Sequence, residues 1–199
     1  HERDDIEGID SSIIQNRLVW KHCGHEETFN DMMTDCRNCK KRFRADKLED
    51  SQCDLKPSKH PGETDKCDLT EPRPFLTMLS TRLGAVADDE DYQSMAYLRP
   101  ETAQGIFINF ANILNTTRRK LPFGIAQVGK SFRNEITPGN FILRTREFEQ
   151  MEMEYFCHPE KAPEFVDEWV ENYMNWLGAL GISKKNLNLY EVPDDELAH

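Results

Sequence analysis

The sequence predicts an α+β domain, with a mixed but mainly antiparallel sheet flanked by helices and an insertion at about residues 36–70. Three observations predict it. Gly124 to Ser131 (GIAQVGKS) is short, apolar and broken only by small residues, as in a buried strand, and Arg144 to Glu154 follows after Pro138-Gly139-Asn140, a turn signal. The two runs read as an antiparallel hairpin with a longer than minimal loop. Apolar residues recur at helical spacing over Glu101–Thr117 and Pro163–Leu180, which read as flanking helices. Lys56–Asp68 is rich in Pro, Gly, Lys, Asp and Ser, so it reads as the loop of the insertion.

In chain order, His1–Asp10 is polar. Ser12–Lys21 carries Ile13, Ile14, Leu18, Val19 and Trp20, the pattern of a short amphipathic helix, and His22–His25 is a turn. Lys40–Leu48 is a basic strand entering a helix, and Ala87–Asp91 is an acidic turn. Pro100 pre-sets entry to the 101–117 helix, whose apolar positions are Ile106, Phe107, Phe110, Ile113 and Leu114. On the later helix Phe165, Trp169, Tyr173, Trp176 and Leu177 form one stripe, read as packing. Asn186–Val192 reads as a short strand.

The 199 residues suffice for one domain with a sizeable core and an insertion. Formal net charge is −11, against a generally nucleic-acid-coating surface, and the acidity is uneven: from Glu149 onward stand twelve acidic residues and three lysines. No apolar run reaches membrane-spanning length and no signal-peptide pattern opens the chain. Six cysteines beside a nucleotide-type motif fit a reducing cytoplasm better than a disulfide framework.

Side chains alternate along strands, so the hairpin can be sorted by parity. If Glu135 pairs with Arg144, then Gln127, Gly129, Ser131, Arg133 and Glu135 share a face with Arg144, Arg146, Phe148, Gln150, Glu152 and Glu154. Gly129 and Ser131 would leave room over the sheet for a flat ligand. Guanidinium groups neutralise a polyphosphate, an aromatic face stacks a purine, and deeper carboxylates hold an ammonium group. From parity alone, a solvated charged hairpin is an equal reading.

Phe132-Arg133-Asn134-Glu135, a loop, then Arg144-Thr145-Arg146-Glu147-Phe148 resembles motif 2 of the class II aminoacyl-tRNA synthetases. With Tyr97-Leu98-Arg99-Pro100-Glu101-Thr102-Ala103-Gln104-Gly105 and Arg146 to Phe156, it is similar to the homodimeric glycyl-specific branch. The resemblance implies a partial catalytic domain over residues 1–199, with motif 2 at 124–156. The motif 1 helix, motif 3 and the anticodon-binding domain are expected to be absent from the chain; no arginine follows Arg146. It implies a cytoplasmic, homodimeric ligase that activates glycine with ATP and magnesium and transfers it to tRNA, with no membrane partner. The catalytic residue it implies is Arg133, at the α-phosphate. ATP would be held by Arg133, Asn134, Glu135, Leu143, Arg144, Thr145, Arg146, Glu147 and Phe148. Glycine would be held by Arg44, Glu101, Phe148, Glu149, Gln150, Met151 and Glu152. Without the resemblance, Arg44 is a solvated or phosphate-contacting basic residue, and Glu101 is a carboxylate favoured by the helix dipole. A rival from another class is a non-catalytic synthetase-like nucleic-acid-binding protein, such as a polymerase accessory subunit.

Cys36-x2-Cys39 has the local geometry in which two thiolates bind one zinc ion, which needs about four ligands. Cys53 and Cys67 are single cysteines. A structural zinc ion and free thiols in a surface insertion are equally good readings.

Overall fold

The computed structural model describes residues 3–84, 94–136, 138–139 and 141–193. Its strands are β1 (Ile6–Ile9), β2 (Ile14–Asn16), β3 (Asn30–Asp35), β4 (Arg42–Arg44), β5 (Arg73–Leu76), β6 (Leu79–Arg82), β7 (Met95–Leu98), β8 (Phe123–Phe132) and β9 (Glu147–Phe156). Its α-helices are α1 (Arg17–His22), α2 (His25–Thr28), α3 (Ala103–Thr117) and α4 (Ala162–Ala179). The strands form three three-stranded sheets, ordered β1-β8-β9, β2-β7-β6 and β4-β3-β5. β1 runs parallel to β8, while β2 with β7, β3 with β4 and β5, and β6 with β7 are antiparallel, so the mixed, mainly antiparallel α+β expectation holds.

The chain divides into two compact units, one of His1–Arg119 with Gly124–Glu154 and one of Lys120–Phe123 with Tyr155–His199. In the first, buried Trp20, Met78 and Tyr97 form a core with Val19, Phe29, Leu76 and Met95 around it. The Tyr97 hydroxyl donates to Glu26 Oε1 at 3.1 Å, and burial, then the Glu26 carboxylate, push its pKa up to about 12. In the second unit Tyr155 packs against Phe165 and Trp169 of α4, with ring centroids 5.3 Å apart in both pairs. Lower on the same stripe Tyr173 and Trp176 are 60% and 50% exposed and lie against each other at 5.5 Å between centroids, while Leu177 is half-buried.

Several elements differ from expectation. Ile13 and Ile14 do not open a helix: Ile14–Asn16 pairs with β7, the Asn16 side chain then accepts from Leu18 N, and α1 starts only at Arg17. β-branched residues favour the strand, and an Asn N-cap fixes the switch. Glu101 lies before α3 rather than in its first turn, because Thr102 is the N-cap. Asn186–Val192 contains no strand; a 3-10 turn at Lys184–Asn186 precedes irregular chain. The Ala87–Asp91 turn lies outside the described residues.

Candidate functional site

The hairpin face follows the expected parity, though not the expected register near its loop. Ser131 Oγ donates to Gln150 Oε1 at 3.1 Å, and the Arg133 guanidinium lies 5.4 Å from the Phe148 ring centroid. On the other face Lys130 pairs with Glu147. The ladder carries the Arg133 N to Arg146 O bond at 3.0 Å, but Glu135 does not pair with Arg144. Arg144 instead exchanges backbone bonds of 3.1 and 3.0 Å with Gly139. Asn134 is the cause: its N–H donates to Thr77 O and its side chain to Leu76 O, drawing the chain out of the ladder towards β5.

Gly129 is not open space above the sheet. A Cβ there would collide with Arg99 Nη2, so the missing side chain makes room for a buried guanidinium, not a ligand. Arg99 is 1% exposed; Nε donates to Lys130 O and Nη1 to Ser11 O, both at 2.8 Å. The Gln127 amide fits with its oxygen towards Arg99 and its nitrogen 2.8 Å from Ser11 Oγ. This arginine fixes Pro100 and Glu101, which follow it.

Arg133 sits between two rings, 5.6 Å from the Phe29 centroid and 5.4 Å from that of Phe148, while Nε donates to Pro100 O at 3.2 Å. Such cation–π contacts hold the guanidinium plane without neutralising it. Arg133, Asn134, Glu135 and Arg144 line a cavity of about 760 Å³ together with Arg44 and Phe29. Arg44 is tied down by Asp31 at 3.2 Å and by Asp46 at 2.8 Å, so its charge is already matched. Among the described residues no carboxylate pairs with Arg133 or Arg144, leaving two uncompensated cations in a cleft large enough for a nucleotide.

Glu101, Glu152 and Glu154 do not line this cleft and form an acidic group of their own, Glu101 following the Pro100 whose carbonyl accepts from Arg133. Glu101 Oε1 accepts from His25 Nε2 at 3.1 Å and from Gln104 Nε2 at 2.8 Å. Glu152 Oε2 accepts from Thr102 N at 3.0 Å and from Thr102 Oγ1. Burial, then the charges of Glu152 and Glu101, raise the Glu154 pKa. Burial and the two neighbouring anions thus favour the neutral form of this carboxyl.

The remaining sequence candidates are placed less favourably. Glu147, Glu149 and Met151 are exposed and alternate away from the Phe148–Gln150–Glu152 face, so only their backbone can serve a ligand on that face. Leu143 is 82% exposed, Thr145 Oγ1 donates to Glu147 O, and Arg146 Nε donates to Glu135 O. Sequence reasoning missed His25, Phe29, Arg99 and Glu154 as parts of the site. Parity marked Glu154; Gly129 was the one local sign of Arg99. Nothing local pointed to His25 or Phe29.

The zinc expected at Cys36 and Cys39 gains no support from the described residues. Among the described residues no three His, Cys, Asp or Glu side chains are gathered as a metal ion requires. Cys53 Sγ and Cys67 Sγ are 3.4 Å apart, and both are free thiols. Burial opposes ionisation of Cys36, yet N–H groups at Cys39, Asn38 and Asp68 bring its pKa down to about 7.

Residues 85–196 match the family described as tRNA synthetase class II core domain (G, H, P, S and T). The chain is 49% identical over 212 residues to a glycine–tRNA ligase of Mycolicibacterium vanbaalenii, covering 99% of this chain and 45% of that protein. It is 50% identical over 208 residues to the glycine–tRNA ligases of Streptomyces coelicolor and Thermobifida fusca, covering 99% and 100% of this chain and 44% of each relative. It thus spans less than half the length of these curated relatives. Among solved structures it resembles the RNA binding domain of threonyl-tRNA synthetase from Cryptosporidium parvum Iowa II. The TM-score is 0.52 at 18% identity, over 88% of this chain and 31% of that one, a likeness of fold alone.

Proposed function

The chain belongs to the class II tRNA synthetase core-domain family, and from that premise we propose that it forms part of a glycine–tRNA ligase and carries most of its ATP and glycine site. The observation that carries the reading is the cleft lined by Arg133 and Arg144, neither paired with a carboxylate among the described residues, with Arg133 Nε bonded to the carbonyl of Pro100, the residue before Glu101. The cleft suits phosphate oxygens, and the separate acidic group suits a substrate ammonium.

The reaction runs in two steps. The glycine carboxylate attacks the α-phosphorus of ATP, releasing pyrophosphate and giving glycyl-adenylate. The terminal ribose hydroxyl of tRNA then takes the glycyl group and releases AMP. No enzyme nucleophile is needed; rate comes from aligning two anions and offsetting charge at phosphorus. Arg133 neutralises the α-phosphate and carboxylate, Phe148 stacks the adenine on the face that Arg133 does not cover, and Arg144 and Arg146 meet the distal phosphates. Asn134 and Glu135 shape the seat between them. Magnesium carried by the nucleotide would supply further positive charge at the phosphates, beside Arg133, Arg144 and Arg146; among the described residues no three metal-ligating side chains are gathered. For the same reason structural zinc stays outside the proposal. Homodimeric assembly belongs to the reading and is checked by sedimentation of the full-length protein.

Glycine offers only an ammonium and a carboxylate, so the site must grip the first and leave no room at the α-carbon. Glu101 and Glu152 do the gripping, with Gln150 as the wall. In full-length protein Glu101→Gln is expected to raise the glycine KM in ATP–pyrophosphate exchange by about tenfold or more, a charge-assisted hydrogen bond being worth about 1.5–3 kcal/mol. The ATP KM should stay within about twofold. A raised ATP KM with unchanged glycine KM would remove Glu101 from the amino-acid pocket. Failure of the parent to exchange pyrophosphate in response to glycine, with tight single-stranded nucleic-acid binding instead, would favour the non-catalytic rival.

A further inference from the structure

Cys23, Gly24 and His25 form a turn read from sequence as a simple connection, and the proposed chemistry leaves it unused. Gly24 has φ +79°, a left-handed backbone that L side chains rarely adopt, and it serves as N-cap of α2. That kink folds the Cys23 side chain back on the ring two residues later, placing Sγ 3.1 Å from His25 Nδ1. The opposite ring nitrogen, Nε2, lies 3.1 Å from Glu101 Oε1. The ring is clamped as well as bonded: it stacks on Phe29 at 5.3 Å between centroids and meets Trp20 edge-on at 5.4 Å. Thiol, imidazole and carboxylate thus form one continuous hydrogen-bonded chain, running from an exposed cysteine to a partly buried glutamate.

The donors can be ordered from chemistry. A carboxylate only accepts, so Nε2 carries the hydrogen and donates to Glu101. In the neutral ring Nδ1 is then the acceptor and takes the thiol hydrogen. The other acceptor within reach of Cys23 Sγ is Trp20 O, at a longer 3.5 Å. Both bonds recorded to Glu101, from His25 and from Gln104, fall on Oε1. That fixes the carboxylate plane and leaves Oε2 for another cation.

We propose that His25 is a positioning residue for glycine recognition, orienting Glu101 through Nε2, and that Cys23 sets the ring tautomer that makes this bond. The inference rests on the reading of Glu101 as the glycine-ammonium ligand. Ring packing alone is the competing role for His25, and the two are separable because phenylalanine keeps the stack but has no N–H.

The test is steady-state ATP–pyrophosphate exchange by the full-length protein with glycine and ATP varied in turn. His25→Phe should raise the glycine KM by about fivefold to tenfold, less than the value of a hydrogen bond made directly to a charged group because His25 acts through Glu101, with the ATP KM and kcat within about twofold. Cys23→Val should raise it by about twofold to fivefold, and Cys23→Ser, whose hydroxyl can still donate to Nδ1, should restore most of the loss. A parental glycine KM in His25→Phe, or equal effects of Cys23→Val and Cys23→Ser, overturns the proposal. Glu101→Gln in the same assay separates the failures: if it raises the glycine KM while His25→Phe does not, the relay alone is wrong. If Glu101→Gln also leaves glycine unaffected, the pocket assignment beneath it is wrong.

Discussion

Arg133→Ala in full-length protein is expected to lower glycine-dependent ATP–pyrophosphate exchange by about 10²-fold or more, what losing a preorganised donor at developing charge costs. The structure gives three reasons to expect an effect of that size on rate and little on fold. The guanidinium stands between the Phe29 and Phe148 rings, so it is held in place before substrate arrives. It has no carboxylate partner among the described residues, so its charge is available to a phosphate. Its one recorded side-chain hydrogen bond is Nε to Pro100 O at 3.2 Å, a contact whose loss costs about 1 kcal/mol of stability. Arg133→Lys should recover only a small part of the rate, since an ammonium neither forks onto two oxygens nor lies flat between rings. Circular dichroism and melting near the parental values, with exchange lost, is the expected pair of results; near-normal exchange would refute the role.

The hairpin shows how far a single sequence can be read. Strand parity follows from backbone geometry alone, and it correctly put Ser131, Arg133, Phe148, Gln150 and Glu152 on one face. Register at the loop was not legible, because it is set by Asn134 bonding to Thr77 and Leu76, more than fifty residues earlier. The helix boundaries at α3 and α4 were legible to within two residues, since apolar spacing and flanking prolines are local signals. β1 was not, because a four-residue strand is specified by its parallel partner β8 rather than by its own composition. His25 and Phe29 escaped notice for the same kind of reason. Each became part of the site through a contact with a residue over seventy positions away.

Arg99→Leu is expected to be the most destabilising single change in the site region, at roughly 3–5 kcal/mol. The naive expectation is the opposite, since burial disfavours the charged guanidinium and lowers its pKa, with only Asp10 offsetting it at a distance. Replacing a buried charge by a hydrophobe of similar volume is often neutral or favourable when its partners are replaced too. Here they cannot be. The acceptors are Lys130 O, Ser11 O and the Gln127 amide, two of them backbone carbonyls that persist in any variant. Leucine would leave the buried Gln127 amide and the two backbone carbonyls without this donor, and the asymmetry between making a hydrogen bond and orphaning its partner decides the sign. The Arg99 backbone adds to the knot, donating to Ile13 O and accepting from Phe132 N, both at 2.9 Å. Since Pro100 and Glu101 follow directly, loosening Arg99 also displaces the carbonyl that holds Arg133 and the carboxylate proposed for glycine. Thermal denaturation of full-length protein should show a Tm lower by roughly 5 °C or more. Exchange at permissive temperature should show both glycine and ATP KM raised, where Glu101→Gln moves glycine alone. A Tm within about 2 °C of the parent would mean that water or a shifted side chain replaces the guanidinium, and Arg99 would lose its place as the keystone under the site.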